Sequence, residues 1–448
     1  MSAGHRHGTS VQGPQVVRGQ RALTVVVVVL LLATLAGLLL LRPTGRADGA
    51  FPTAGERVQG TVTRAATAPC DDAGQEAPEN GPRELCVDLT VRIDEGPDKG
   101  VEVGQQGGDN ATGRLAVGDR VVLAADPAAE TAQERYQLTD TQRATSLTVL
   151  AVLFALAVVA LGRLRGLLAL AGLAVSAVVL VGWLVPALLD GRPPVLTATV
   201  GASAIMLAVL LLAHGPSVRT MTAIVGTAAS LLLTLALAGL FVEASSLTGL
   251  TSEEASFVQA VFGGLDVRGL LLAGIVVGAL GILDDVTVTQ VSAVHEIRAA
   301  DPAMPTRDLY RAGLRVGRDH VASLVNTLLL AYAGASLPLL VIFTTSGEGL
   351  VGTLTNGVVA EEIVRALVGS IGLVAAVPIT TALAAITCPP TAPADAAPGP
   401  EAAGPAADPR PRPAADRMPP EGQGTDPSWS SRQGATAPSE RPAAPPPP

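Results

Sequence analysis

Lysine is almost absent from this chain of 448 residues. Lys99 is the only one, and arginine supplies the other basic side chains. The phosphate loop of a nucleotide-driven pump needs a lysine within a glycine-rich frame. Lys99 lies in no such frame. The chain therefore cannot hydrolyse ATP through such a loop, and any ATP-driven role would need an ATPase on another chain.

Cysteine is also scarce, and its three residues are too few for a disulfide scaffold. Cys70 and Cys86 lie in a polar segment that we place outside the cell, where a bridge between them would persist. Closing so short a loop would contribute about 3 kcal/mol in the chain-entropy model. Cys388 ends the last apolar segment, and we expect a reduced thiol there.

Charged residues make up only 15% of the chain, whereas 48% of its residues are hydrophobic and several apolar runs approach twenty residues. Such runs are long enough to cross a bilayer as helices. The net charge of −9 comes largely from segments outside these runs, so it gives no indication of a nucleic-acid partner. The predicted fold class is a mainly α polytopic membrane protein with a small β-rich module.

The polar residues 1–21 precede a long apolar run at 22–41. A signal peptide has an apolar core of about 7 to 15 residues and a small-residue cleavage site. The run is longer, and no good cleavage site follows it. These features favour an uncleaved transmembrane anchor over a signal peptide, with residues 1–21 as a cytoplasmic tail.

Residues 48–143 are Gly-rich and acidic, with short alternating runs separated by turns. This pattern predicts a small β-rich, barrel-like module. It contains no catalytic or metal-binding cluster, so a structural or protein-contact role is favoured over ligand binding.

Seven further apolar segments follow, at 147–161, 167–189, 195–213, 221–242, 270–291, 321–343 and 363–386. With the anchor they predict eight spans, of which the last seven form a bundle at 146–386. Arginines concentrate in alternate loops, so both termini should be cytoplasmic and the β module extracytoplasmic. Residues 389–448 are rich in Pro and Ala, which predicts a disordered cytoplasmic tail.

Two adjacent carboxylates, Asp284 and Asp285, interrupt the apolar character of the sixth span. A helix would place Asp285, Thr289, Ser292 and Glu296 on one face, with Asp284 beside it. Two mid-membrane aspartates cost roughly 5 to 7 kcal/mol, so they should face a bundle interior or a cytoplasmic vestibule. Like charge and burial both favour a carboxyl that takes up a proton. The stripe thus predicts a proton or cation relay.

Two other interpretations of this stripe stay open. The acids could mark a helix end that emerges into water near the cytoplasmic side. They could also bind a metal with His295 and Glu296, although the i, i+11 spacing is too long for direct ligation without another segment. No metal site is therefore assigned.

The following segments carry further candidates. Asn326 and Pro338 lie in the seventh span, where the proline predicts a kink that either lines a cavity or is architectural. Arg307, Arg311, Arg315 and Arg318 share one helical face ahead of that span. This face predicts contacts with lipid phosphates or simply a topogenic basic loop.

Three blocks carry a family resemblance: GILDDVTVTQVSAVHEIR at 281–298, DLYRAGLRVGRDHVASLVNTLLLAYAGASLPLL at 308–340, and EEIVRALVGSIGLVAAVPITTALAA at 361–385. They resemble the YibE/F family of bacterial multipass membrane proteins, over about residues 22–386. The resemblance implies an integral protein of the bacterial plasma membrane with an extracytoplasmic module. It brings no substrate, reaction or site residues.

The residues favour a secondary transporter or permease that uses the Asp pair for coupling. The alternative is a non-transporting envelope scaffold or accessory protein that binds a partner through the β module. We expect no enzyme, because the two aspartates are adjacent on one helix and the spans contain no Ser/His dyad. No cofactor is expected, and the expected partners are the lipid bilayer and an envelope protein.

Overall fold

The structure combines long helices with one small sheet. The computed structural model describes residues 14–45, 56–69, 85–108, 115–251, 253–262, 264–345, 349–388 and 390. The predicted tail at 389–448 lies almost wholly outside the described residues. Cys70 also lies outside them, so the Cys70–Cys86 bridge stays a prediction.

The helices of the described residues are α1 (Pro14–Leu40), α2 (Ala132–Arg135), α3 (Ala144–Gly162), α4 (Leu164–Leu189), α5 (Pro194–His214), α6 (Val218–Ala244), α7 (Glu253–Val261), α8 (Val267–Ala300), α9 (Thr306–Ala335), α10 (Leu337–Thr345), α11 (Leu350–Thr355) and α12 (Gly357–Thr387). From α3 onward the helices follow one another along the chain with short connections, whereas most of the sheet lies between α1 and α2. Helix α4 contains a π-helical turn at Leu180–Leu184. Pro186 follows this turn, and a proline that cannot donate a backbone hydrogen bond is a common cause of such a local adjustment.

Five antiparallel strands form the sheet, in the order β3-β2-β1-β4-β5. They are β1 (Glu56–Pro69), β2 (Leu85–Ile93), β3 (Glu102–Gly108), β4 (Arg120–Ala125) and β5 (Tyr136–Thr141). The edge strands β3 and β5 approach each other, because the Gln105 side chain donates to the Tyr136 carbonyl and accepts from the Leu138 N–H, each at 2.8 Å. The curled sheet is therefore a partly open barrel, as the alternating pattern predicts.

The barrel interior is filled by alternate side chains of the strands. Val62, Val91, Ile93 and Leu123 are fully buried in it. Tyr136 is buried with them, and its hydroxyl donates to Asp98 at 3.0 Å. The pKa of Tyr136 is raised, mainly by burial and to a smaller extent by this hydrogen bond. The phenol therefore stays neutral over the physiological range.

Among the described residues, seven helices are long and apolar enough to cross a membrane: α1, α3, α4, α5, α6, α8 and α12. The predicted span at 321–343 is not one of them. The structure divides that stretch between α9 and α10, with the break at Ser336 just before Pro338. The first half of α9 is also strongly charged, which lowers its hydropathy. The predicted count of eight spans therefore depends on α9 crossing as a polar helix.

Helix α8 lies at the centre of the bundle and packs against α5, α6, α9 and α12. Its core contacts include Val276, Leu280 and Leu283, all nearly free of solvent. Helix α1 is not a detached anchor, because Val27 joins the same core and Gly37 packs against Val200 of α5. Arg165, Arg219 and Arg298 lie at one end of this bundle, which we call the arginine-rich end.

Candidate functional site

The Asp pair lies halfway along α8. Asp284 is 17 residues after Val267 and 16 before Ala300, and the helix continues without a break through both acids. At 1.5 Å per residue each end is about 25 Å away. The pair is thus near the middle of a continuous helix, rather than at a helix end as one interpretation of the sequence had it.

The two aspartates have different surroundings, because successive residues on a helix point about 100° apart. Asp285 is exposed on the open face of α8. Asp284 is partly buried, and its Oδ1 is shielded from solvent with no hydrogen-bond partner among the described residues. A buried carboxylate oxygen without a donor is costly, so Asp284 is the chemically unusual member of the pair.

The other side chains of the predicted stripe do not form a hydrogen-bonded chain in the described structure. Thr289 donates to the backbone carbonyl of Asp285 at 2.8 Å instead of to its carboxylate. Glu296 is 72% exposed and lies 3.6 Å from the Arg219 guanidinium. The described structure shows no hydrogen bond that joins the side chains of Asp285, Thr289, Ser292 and Glu296 to one another. A relay along this face would therefore need water between them.

No metal-binding group of three or more His, Cys, Asp or Glu side chains occurs among the described residues. His295 instead places Nδ1 2.9 Å from the Val291 carbonyl, one helical turn back. This local bond orients the ring along its own helix.

A set of buried hydroxyl and amide side chains, which the sequence patterns above did not indicate, joins α8 to α6 and α12. The Thr227 and Thr287 hydroxyls lie 2.6 Å apart. Gln290, which is 4% exposed, donates to the Gly313 carbonyl and to the Thr381 hydroxyl, each at 2.8 Å. Hydroxyls within apolar segments, such as Thr227, Ser230 and Thr234 at i, i+3 and i+7, were the available signal. Interhelical hydrogen bonds of this kind stabilise membrane bundles.

Helices α6 and α12 approach each other closely beside these buried polar side chains. A Cβ on Gly372 of α12 would fall far inside van der Waals contact with the Thr234 hydroxyl of α6. Gly369, one turn earlier on α12, is also buried, but no atom of the described residues lies within 4 Å of such a Cβ. The two positions form a matched pair for testing the contact.

We expect Gly372→Ala to destabilise the bundle by about 1 to 3 kcal/mol through overpacking. Gly369→Ala should be neutral or slightly stabilising, because alanine is the better helix former. Thermal unfolding of both variants in lipid nanodiscs tests this. Equal melting temperatures for the two variants would contradict the close α6–α12 packing.

A cavity of about 730 Å³ opens at the arginine-rich end, between α4, α5, α6 and α8. Its polar lining includes Arg165, His214, Ser217, Arg219 and Ser292. Ser292 belongs to the predicted stripe, whereas the arginines and His214 were assigned no site role from the sequence. On α8 the cavity reaches Val288, one turn from Asp284.

A second cavity of about 190 Å³ lies beside the break between α9 and α10. It is lined by Tyr332, Ser336 and apolar side chains of α10 and α12, together with Glu362. Arg365 donates to Glu362 at 2.6 Å, and this bond pairs the carboxylate at the edge of the cavity with a guanidinium group. Asn326 is exposed and is not among the lining residues, so the structure does not bring it together with the Pro338 break.

The four arginines of α9 form a solvated face. Arg307, Arg311, Arg315 and Arg318 are all exposed, and Arg311 lies 3.5 Å from Asp308. This exposure is compatible with both predicted roles, lipid contact and a topogenic loop.

At the end of α12, Cys388 is a free thiol. Burial raises the pKa of Cys388, and the nearby Arg298 opposes this shift. The thiol therefore stays largely protonated near neutral pH.

The model of the YibE/F-like protein family matches residues 150–390. This range runs from within α3 to just beyond α12 and includes the Asp pair, but neither α1 nor the β module. No curated relative and no solved structure matches the chain. Because the match covers more than half of the sequence, the chain belongs to the family of YibE/F-like proteins.

Proposed function

We propose that this protein is a secondary transporter in which Asp284 carries the coupling proton. The observation that carries the proposal is the Oδ1 of Asp284, which is buried at the middle of the central helix with no hydrogen-bond partner in the described part of the chain. A charged side chain at the centre of a membrane helix costs about 2.5 to 3.5 kcal/mol on the insertion scale. A bundle that served only as a scaffold would gain stability from an apolar residue there.

Access to Asp284 supports the same role. The cavity at the arginine-rich end includes Val288, four residues from Asp284 on the same helix. Asp285 and Thr289 flank this approach on the open face of α8. A proton would reach Asp284 from that side through water in the cavity.

We place the arginine-rich end in the cytoplasm by the positive-inside rule. The bundle then has eight crossings, with α9 as a polar crossing that runs beside α8. Gly313 packs against Gln290 near one end of α9, and the Tyr332 hydroxyl lies near Gly278 further along. In the proposed topology both termini lie in the cytoplasm and the β module lies outside the plasma membrane.

Everted membrane vesicles that contain the full chain test the function. Respiration builds a proton gradient, which acridine orange fluorescence reports, and solutes are added singly from a panel of organic anions, organic cations and metal ions. The proposal expects at least one solute to dissipate the gradient only in vesicles with the protein. If no solute does so while crosslinking through residues 56–141 captures a specific partner, the scaffold function replaces transport.

A further inference from the structure

The cavity at the arginine-rich end has the size of a small-molecule site. Its volume of about 730 Å³ falls within the range of about 300 to 1,000 Å³ that is usual for ligand pockets. Four helices contribute to it, so its shape is fixed by the packing of the bundle. Nothing in the family membership or in the proposed coupling role of Asp284 assigns a ligand to it.

The mouth of this cavity is electropositive. Arg165 makes no ion pair among the described residues, and Arg219 is only partly neutralised by the exposed Glu296 at 3.6 Å. Helices α4 and α6 also begin here, at Leu164 and Val218. Helix N-termini carry a partial positive charge and free N–H groups, so both add to the field of the arginines.

The turn between α3 and α4 holds Arg165 in this position. Arg163 adopts a positive φ of 51°, and Gly166 packs directly against the Val158 carbonyl of α3. A side chain at residue 166 would collide with that backbone. The hairpin is therefore tight, and Arg165 projects from the first turn of α4 to the cavity lining.

The interior of the cavity is apolar. Leu168, Leu210, Ala223, Val288 and Val291 line it below the arginines. Inorganic phosphate would leave this surface uncovered, and a neutral hydrocarbon would leave the arginines unused. A ligand with one anionic group and one apolar part would satisfy both.

We propose that this cavity binds an amphiphilic organic anion. Its phosphate, carboxylate or sulfonate group lies between Arg165 and Arg219, with hydroxyls of Ser217 and Ser292 within the same lining. Its apolar part lies against Leu210 and Val291. This proposal does not depend on transport, because a site of this chemistry would bind its ligand whether or not Asp284 moves a proton.

Equilibrium binding to the purified full chain in phosphatidylcholine nanodiscs tests the site. The probes are radiolabelled octyl phosphate, inorganic phosphate and octanol, and empty nanodiscs give the background. We expect saturable octyl phosphate binding at least tenfold tighter than that of either other probe. Octyl phosphate binding no tighter than octanol binding would overturn the proposal.

Three variants locate the binding. Arg165→Gln removes a charge from the cavity, and Ala169→Phe fills part of its volume. Each variant should weaken octyl phosphate binding at least tenfold. Arg120→Gln, which changes an exposed arginine of β4 that does not line the cavity, should leave it unchanged. Circular dichroism and size-exclusion chromatography verify folding. Equal affinities for Arg165→Gln and Arg120→Gln would place the ligand elsewhere and overturn the proposal.

The anion could be a membrane lipid or a free solute, and a change of nanodisc lipid separates these sources. If phosphatidylglycerol nanodiscs reduce octyl phosphate binding competitively, the site takes anionic lipid. Unchanged binding assigns it to free amphiphiles. Both results support the chemistry of the site, and neither depends on a proton gradient, so a failure here is distinguishable from a failure of the transport function.

Discussion

Replacing Arg298 by methionine should destabilise the bundle by about 3 kcal/mol, because the partly buried backbone carbonyls that it binds would lose their charged donor. Arg298 is 5% exposed. Its Nε donates to the Cys388 carbonyl at 3.0 Å, and its Nη1 donates to the Met304 carbonyl at 2.6 Å. One guanidinium thus joins the end of α8, the following loop and the end of α12.

Thermal unfolding in nanodiscs measures this effect, with Arg307→Met as the control. Arg307 is exposed on α9, so its replacement should change the melting temperature little. Arg298→Lys should recover only part of the loss, since an ammonium group cannot reproduce the planar fork of the guanidinium. If Arg298→Met and Arg307→Met melted together, the role of Arg298 as a clamp between helices would be wrong.

The burial of Arg298 could not be predicted from the sequence. Its position among the loop arginines predicts only a positive charge at one membrane face. Burial depends on which carbonyls meet at the ends of α8 and α12, and these ends are 90 residues apart in the chain. No local pattern encodes such a meeting.

The membrane class, most of the helix positions and the curled sheet could be predicted, because each follows from local hydropathy and alternation. The interruption near Pro338 could also be anticipated from the chemistry of proline. The span at 321–343 was less predictable as a single element, since its apolar residues continue a charged helix that begins at Thr306.

The candidate site was predictable only in part. The sequence identifies the Asp pair, but it cannot tell which aspartate is buried, because that depends on the helices that pack beside α8. The sequence likewise could not show that Arg165 and Arg219 line the same cavity, since they belong to different helices.

Asp284→Asn should abolish solute-driven proton flux, whereas Asp285→Asn should retain most of it. Asparagine has nearly the shape of aspartate but cannot carry the proton, so the bundle keeps its packing and loses the coupling group. Loss of an essential proton carrier should lower the flux by about a hundredfold or more, because a positioned acid or base typically contributes a factor of about 10² to 10⁴. Asp285 is the matched control because it is adjacent, identical in chemistry and exposed.

The most direct test measures the acridine orange response of everted vesicles with the wild-type chain, Asp284→Asn and Asp285→Asn at matched protein levels. The solute is one that dissipates the gradient with the wild type. The account predicts a response at the level of empty vesicles for Asp284→Asn and near the wild-type level for Asp285→Asn. A wild-type response from Asp284→Asn would contradict the proposal that this buried carboxyl carries the proton.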